Sequence, residues 1–153
     1  MRWKYIINHH SLGKDSRVLN TQDIRNDHIV NREWDDIGYH FLIELVSNYY
    51  EIVVGRMLDT NGAHTLGRNP DSIGICWVGN FDIAPPSKEH WARGVQLNKS
   101  LCSEFDIPLK NIIGHRDCVE DDRSCPGKLF DLQQLRDDVA KLVIGRVVRS
   151  DGW

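Results

Sequence analysis

The sequence predicts an α/β fold, a single domain in which a mixed central β-sheet is flanked by helices. Three observations carry this reading. The chain has 153 residues, 41% of them hydrophobic. That suits one domain with its core at about 3–145, burying roughly two thirds of the surface its unfolded form exposes. Five short apolar runs bounded by turn residues read as strands. Two longer segments repeat apolar residues at spacings of three and four, the mark of helices with one buried face.

The elements follow in order. Lys4 to Asn8 reads as a buried strand ending at His9-His10, and a loop containing Gly13 follows. A helix is expected from about Thr21, with Asn20 or Thr21 able to cap its free amides. Tyr39 to Leu45 and Tyr49 to Val54 read as strands, and the short Val46-Ser47-Asn48 join predicts a hairpin. Gly55 to Asp71, rich in Gly and Asn, reads as a long loop. Ser72 to Gly79 is unbroken in apolar character, as a central strand is. Pro85-Pro86-Ser87 opens a helix with Ser87 as cap. Its stripe is Trp91, Gly94, Val95, Leu101, Cys102 and Phe105, interrupted by Asn98. Asn111 to Gly114 is a short strand. Asp131 with Gln134 three residues on resembles a capping box for a last helix, whose stripe is Leu132, Leu135, Val139 and Leu142. Because strands and helices do not alternate strictly, the sheet is mixed, with helices on both faces.

Lys plus Arg number 19 against 22 Asp plus Glu, a net charge of -3. This argues against a phosphate-driven nucleic-acid binder. No apolar run approaches the roughly 20 residues of a membrane span. The opening Met1 to Ile7 is broken at once by Asn8-His9-His10, so a secretion signal is not expected, and synthesis in the cytoplasm is. The four cysteines have no framework spacing and are expected to be reduced. Cys76 and Cys102 read as buried hydrophobes. A monomer is expected.

Three polar clusters fall at the ends of elements, where α/β proteins place ligand-bearing loops. They are His9-His10-Ser11, Gly114-His115-Arg116-Asp117 and Ser124-Cys125-Pro126-Gly127. His and Cys are side chains that zinc prefers, and a catalytic zinc takes three protein ligands and keeps one position open. The ten-residue step from His115 to Cys125 suits neither a zinc finger nor one helix face. The residues equally allow Cys125 as a nucleophile with His115 as its base. Spacing alone leaves both open.

Six blocks occur in order: Ile6-Ile7-Asn8-His9-His10-Ser11, Ile37-Gly38-Tyr39-His40-Phe41-Leu42-Ile43, Gly62-Ala63-His64-Thr65, Asn69-Pro70-Asp71-Ser72-Ile73-Gly74-Ile75 running to Gly79-Asn80-Phe81, Ile113-Gly114-His115-Arg116-Asp117, and Cys125-Pro126-Gly127. From Trp3 to Leu142 the chain resembles the zinc-dependent N-acetylmuramoyl-L-alanine amidases, which include phage amidase-type lysozymes and the peptidoglycan recognition proteins. The resemblance implies a peptidoglycan-recognition/amidase-like fold with one Zn2+ at the floor of a substrate groove. By position it implies His9, His115 and Cys125 as metal ligands and Tyr39 as catalytic tyrosine. His64 and Asn80 match groove-bordering, substrate-binding positions. Arg123 stands where relatives carry Lys or Thr. It stays charged at any working pH, so a catalytic part would be that of a fixed cation or donor, and pairing with Asp121 or Asp122 is the alternative. Tyr39 on its residue type alone would be a packing aromatic, and Asn80 a turn residue.

The implied reaction is hydrolysis of the amide joining N-acetylmuramic acid to L-alanine in peptidoglycan or muropeptides. The implied setting is a phage or prophage endolysin released by a holin, or a cytosolic recycling enzyme. A peptidoglycan-binding module that does not cut is the other class, and such members generally lack the cysteine present here as Cys125. Of the remaining residues, His10 and His40 are expected to point away from His9 and Tyr39. His28 is expected to pack, and His90, at a helix start, to be solvated. Cys118 could pair with Cys125 under oxidation and so make activity oxidant-sensitive, with Cys118→Ser resistant.

Overall fold

Alternation along the strands sorts their side chains onto two faces, and helices cover both. The computed structural model describes residues 2–13 and 19–147. The elements are β1 (Tyr5–His10), α1 (Thr21–Asn26), β2 (Phe41–Val46), β3 (Tyr49–Val54), β4 (Ser72–Trp77), α2 (Lys88–Phe105), β5 (Ile112–Gly114) and α3 (Leu132–Val147). A π-helical turn, Asp27–Asn31, continues α1, and short 3-10 turns flank β5. The sheet order is β3-β2-β4-β1-β5. β2 and β3 form the antiparallel hairpin, while β2–β4, β4–β1 and β1–β5 are parallel, so the sheet is mixed. The loop after Gly13 falls, at residues 14–18, outside the described residues.

One face carries Ile6, Ile43, Ile73, Ile75 and Trp77, packed by Val95, Leu97, Leu101 and Cys102 of α2 and by Leu132, Leu135 and Val139 of α3. The other carries Leu42 and Cys76, covered by Ile24 of α1 together with Ile37 and Val78. The caps act as the sequence implies. Asn20 and Asp23 form a reciprocal capping box on α1, Ser87 Oγ accepts from the His90 amide, and Asp131 Oδ1 accepts from the Gln134 amide.

Asn98, the break in the α2 stripe, is fully buried and pairs amide to amide with Asn8 of β1. Trp77 Nε1 also donates to Asn8 Oδ1, at 2.8 Å. These bonds satisfy the buried polar groups and tie α2 and β4 to the residue preceding His9.

Four expectations need correction. β1 runs on through both histidines, because His9 and His10 pair in register with Cys76 and Trp77 of β4. β2 begins at Phe41, not Tyr39. The Tyr39 carbonyl instead accepts from the Arg56 amide, closing the loop that follows β3. His90 is fully buried rather than solvated, its ring stacked on Tyr50 and edge-on to Phe81. Leu142 does not join the α3 stripe and is exposed.

Candidate metal centre

The polar clusters meet at the C-terminal edge of the parallel strands, where a β1 side chain and the loops after β5 converge. The pleat sends His9 to the α1 side of the sheet and His10 to the other, where His10 Nδ1 accepts from the Phe81 amide. His115 is the first residue beyond β5. The turn it opens is held by Asp117, whose carboxylate accepts from the Gly114 amide at 2.8 Å. Cys125 comes from the loop before α3. Its carbonyl accepts from the Arg116 amide, and the Arg116 guanidinium binds the carbonyls of Ser124, Gly127 and Phe130. On the far side of the loop, Asp82 accepts from Ser124 Oγ and from the Lys128 amide. Arg116 and Asp82 thus fix where Cys125 sits. Sequence reading missed both roles, since the capture of main-chain groups by a side chain leaves no sequence signature.

One ligand atom each from His9, His115 and Cys125 lies within 4.8 Å of the others, the one such His/Cys/Asp/Glu group among the described residues. His9 Nδ1 is 3.7 Å from Cys125 Sγ, and the His9 and His115 ring centroids are 4.6 Å apart. His9 is buried, and the other two are half-buried at the floor of an open cleft of about 570 Å³. Burial chiefly, with neighbouring positive groups, holds both imidazoles below their ordinary range, so they are neutral with lone pairs to offer. Burial pushes the Cys125 thiol up to about 11. Two neutral imidazoles and a thiol whose proton a cation would displace are a donor set that zinc fits.

The other expected residues surround this group at different distances. Tyr39 is half-buried, its ring 5.2 Å from that of His9. Burial raises its pKa well above the ordinary phenol range, and its hydroxyl is hydrogen-bonded to the Cys76 thiol. Arg123 takes the pairing offered as the alternative, with Asp121, and also makes a contact the sequence did not suggest. It clamps the Asp121 carboxylate, and its Nη1 reaches His115 Nε2 at 3.1 Å. The clamp pushes Asp121 down to about 2.

His64 lines the cleft. His64 Nδ1 lies 3.0 Å from His9 Nε2, and its Nε2 lies 3.5 Å from Ser72 Oγ. Asn80 does not line this cleft. It forms a turn with Asp82 and lines an adjoining apolar cleft with Phe81 and Ile83, the two clefts meeting at Leu12. His28, Arg32 and Trp34 form a further wall. Cys118 and Cys125 are both free. The Cys118 thiol faces the Gly114 carbonyl and has Arg68, Asp117 and Asp71 as charged neighbours, whereas Cys125 lies against His9 and Arg123.

The family profile for N-acetylmuramoyl-L-alanine amidase matches residues 1–128. The human N-acetylmuramoyl-L-alanine amidase is 34% identical over 137 residues, 87% of this chain but 23% of that protein. The chain spans about a quarter of the length of the first curated relatives it matches. The endolysin of Klebsiella phage KP32 is 30% identical over 82% of this chain and 80% of its own. Among solved structures, the amidase LysC of Clostridium intestinale URNW superposes with a TM-score of 0.77 at 26% identity, covering 93% of this chain and 86% of that one. With the profile spanning most of the chain and the same fold in its relatives, this chain belongs to the N-acetylmuramoyl-L-alanine amidase family.

Proposed function

We propose that the chain is a zinc-dependent hydrolase of the amide between N-acetylmuramic acid and L-alanine of peptidoglycan, acting on the cell wall as an endolysin does. The observation that supports this best is the convergence of His9, His115 and Cys125, from three separate segments, at the floor of an open cleft. These three residues would hold the zinc. When bound, zinc polarises a carbonyl and lowers the pKa of water toward about 7.

The protein's own groups supply the rest. Tyr39 is kept a neutral phenol by burial and can donate a hydrogen bond to oxygen charge as it develops. Arg123 cannot serve as a base. It is a permanent cation beside His115, held by Asp121, and can draw an anionic substrate group to that wall. Arg116 and Asp82 keep the Cys125 loop in place during turnover.

Two alternatives fare worse. A thiol nucleophile needs a lowered pKa and an adjacent base. Cys125 is pushed upward, and the imidazole bonded to it is the buried His9 rather than His115. A binding-only module has no need of the full donor set with Tyr39 beside it.

The test is metal analysis of the purified protein together with turbidity loss of peptidoglycan and release of L-alanine-terminated peptides. Near-stoichiometric zinc, loss of activity with a chelator and recovery on adding zinc are expected. Cleavage that survives complete metal removal overturns the zinc reading, and a zinc-loaded protein that binds murein without cutting it overturns the enzyme reading.

A further inference from the structure

We propose that His64 is a positioning residue, fixing the proton of His9 on Nε2 and so turning the His9 Nδ1 lone pair toward Cys125. The inference rests on the reading of His9 as a ligand. It follows from a hydrogen-bond chain whose direction is set at its far end.

Ser72 Oγ donates to the Arg68 carbonyl at 2.7 Å, and a carbonyl only accepts. The Ser72 oxygen is therefore left as an acceptor, 3.5 Å from His64 Nε2. His64 carries its proton there, which makes Nδ1 its acceptor. His64 Nδ1 lies 3.0 Å from His9 Nε2, and the Thr65 hydroxyl lies 3.1 Å from that Nδ1 and 3.4 Å from that Nε2; acceptors therefore face His9 Nε2, which donates. The remaining His9 nitrogen, Nδ1, keeps its lone pair and is the one that faces Cys125 Sγ. A ligand imidazole whose second nitrogen donates to a fixed acceptor has its tautomer and ring plane set in advance.

The surroundings are shaped to hold the His64 ring. Asn69 Oδ1 accepts from the amides of both His64 and Thr65, at 2.9 Å each, pinning the loop. A Cβ at Gly62 would lie 2.4 Å from the ring and one at Gly74 2.5 Å from it. Glycine at these two positions leaves the space that the imidazole fills. The Gly74 site explains a glycine in the middle of an otherwise apolar strand.

The experiment uses His64→Phe, which keeps a ring without an acceptor, and His64→Asn, whose Oδ1 stands near the position of Nδ1. Zinc affinity is read by competition with a chromophoric chelator, and the His9 tautomer by 15N NMR of the metal-free protein. Expected are a 10- to 100-fold weaker affinity and a mixed His9 tautomer in His64→Phe, with substantial recovery of both in His64→Asn. Ser72→Ala, a milder change at the far end of the chain, is expected to mix the tautomer as well and covers the case in which His64→Phe does not fold. Parent-like affinity with a single tautomer in His64→Phe, or in Ser72→Ala where His64→Phe does not fold, overturns the inference. So does weakened affinity with the tautomer unchanged, which is a packing effect. Failure of the parent protein to bind zinc would instead sink the ligand reading, while the tautomer measurement on metal-free protein still judges the role of His64.

Discussion

Gly94→Ala sets two effects of opposite sign against each other. By helix propensity, Ala in the middle of α2 should stabilise by about 1 kcal/mol. In the fold, a Cβ at Gly94 would lie 1.7 Å from Cη2 of Trp77 and 2.1 Å from Cζ2. Ordinary carbon contact needs roughly 3.5 Å, so helix and ring must separate by nearly 2 Å. Trp77 cannot easily yield. It is fully buried, edge-on to Phe130, and its Nε1 is bonded to Asn8. Overpacking costs about 1–3 kcal/mol, and a buried indole N–H that loses its acceptor costs about another 1–3. After the propensity gain, a net loss of about 3 kcal/mol is expected. For a chain of this size that lowers Tm by about 6–12 °C. Thermal unfolding and urea titration measure it, and the strain enters β1 one residue before His9. A rise in Tm would refute the reasoning, because propensity would then have outweighed the contact.

Tyr39→Phe keeps the ring against His9 and removes one donor, so zinc content should hold while kcat falls about 10²–10³-fold on a muramyl peptide; an unchanged kcat would make Tyr39 a packing residue. His40 is buried, its pKa lowered chiefly by burial, with Nδ1 accepting from the Gly74 amide. The unfolded ring has the higher pKa, so this contribution is intact above about pH 6.5 and is lost as pH falls toward the folded value. The loss is at most about 1.4 kcal/mol per pH unit. Denaturant titrations of metal-free protein at pH 7.5 and 5.5 check the sign, and equal stability at both contradicts it. Cys118 and Cys125 face different surroundings, so peroxide should inactivate Cys118→Ser as fast as the parent. Protection by that substitution would restore the disulfide expected from sequence.

Much of this was legible in the sequence, for identifiable reasons. The strands, the hairpin and both long helices follow from apolar spacing, and the caps from residues with side-chain acceptors. The opposite aim of His9 and His10 follows from the period of two. What escaped depends on partners remote in the chain. His90 looks solvated at a helix start, yet the ring is enclosed by Tyr50, Trp77 and Phe81 from three other segments. Asn98 looks like a flaw in a stripe until Asn8, 90 residues away, supplies its complement. The resemblance marks His64 as a groove-bordering residue, but its loop has no periodicity to say which way the ring turns. Gly62 and Gly74 say it only once they are seen to leave room for it.

The protonation states explain why these three side chains suit a cation better than a nucleophile's role. With its thiol near 11, Cys125 is about four pH units from deprotonation at neutrality, an uphill step of about 5 kcal/mol. A lone imidazole does little against that. Its best candidate, His9, is itself held neutral in the interior and gains no stabilisation by taking the proton. A divalent cation changes the balance, since zinc held by thiolate and imidazole is worth about 10–16 kcal/mol in small domains and the thiol proton is lost as part of binding. The same burial that disables Cys125 as an attacking group thus leaves it ready as a ligand. It also keeps protons from competing with a metal for the lone pairs of His9 and His115. Arg116 and Asp82 hold the cysteine's loop while the sheet and its adjoining turn place the two imidazoles, so little ordering of the backbone remains for the metal to impose.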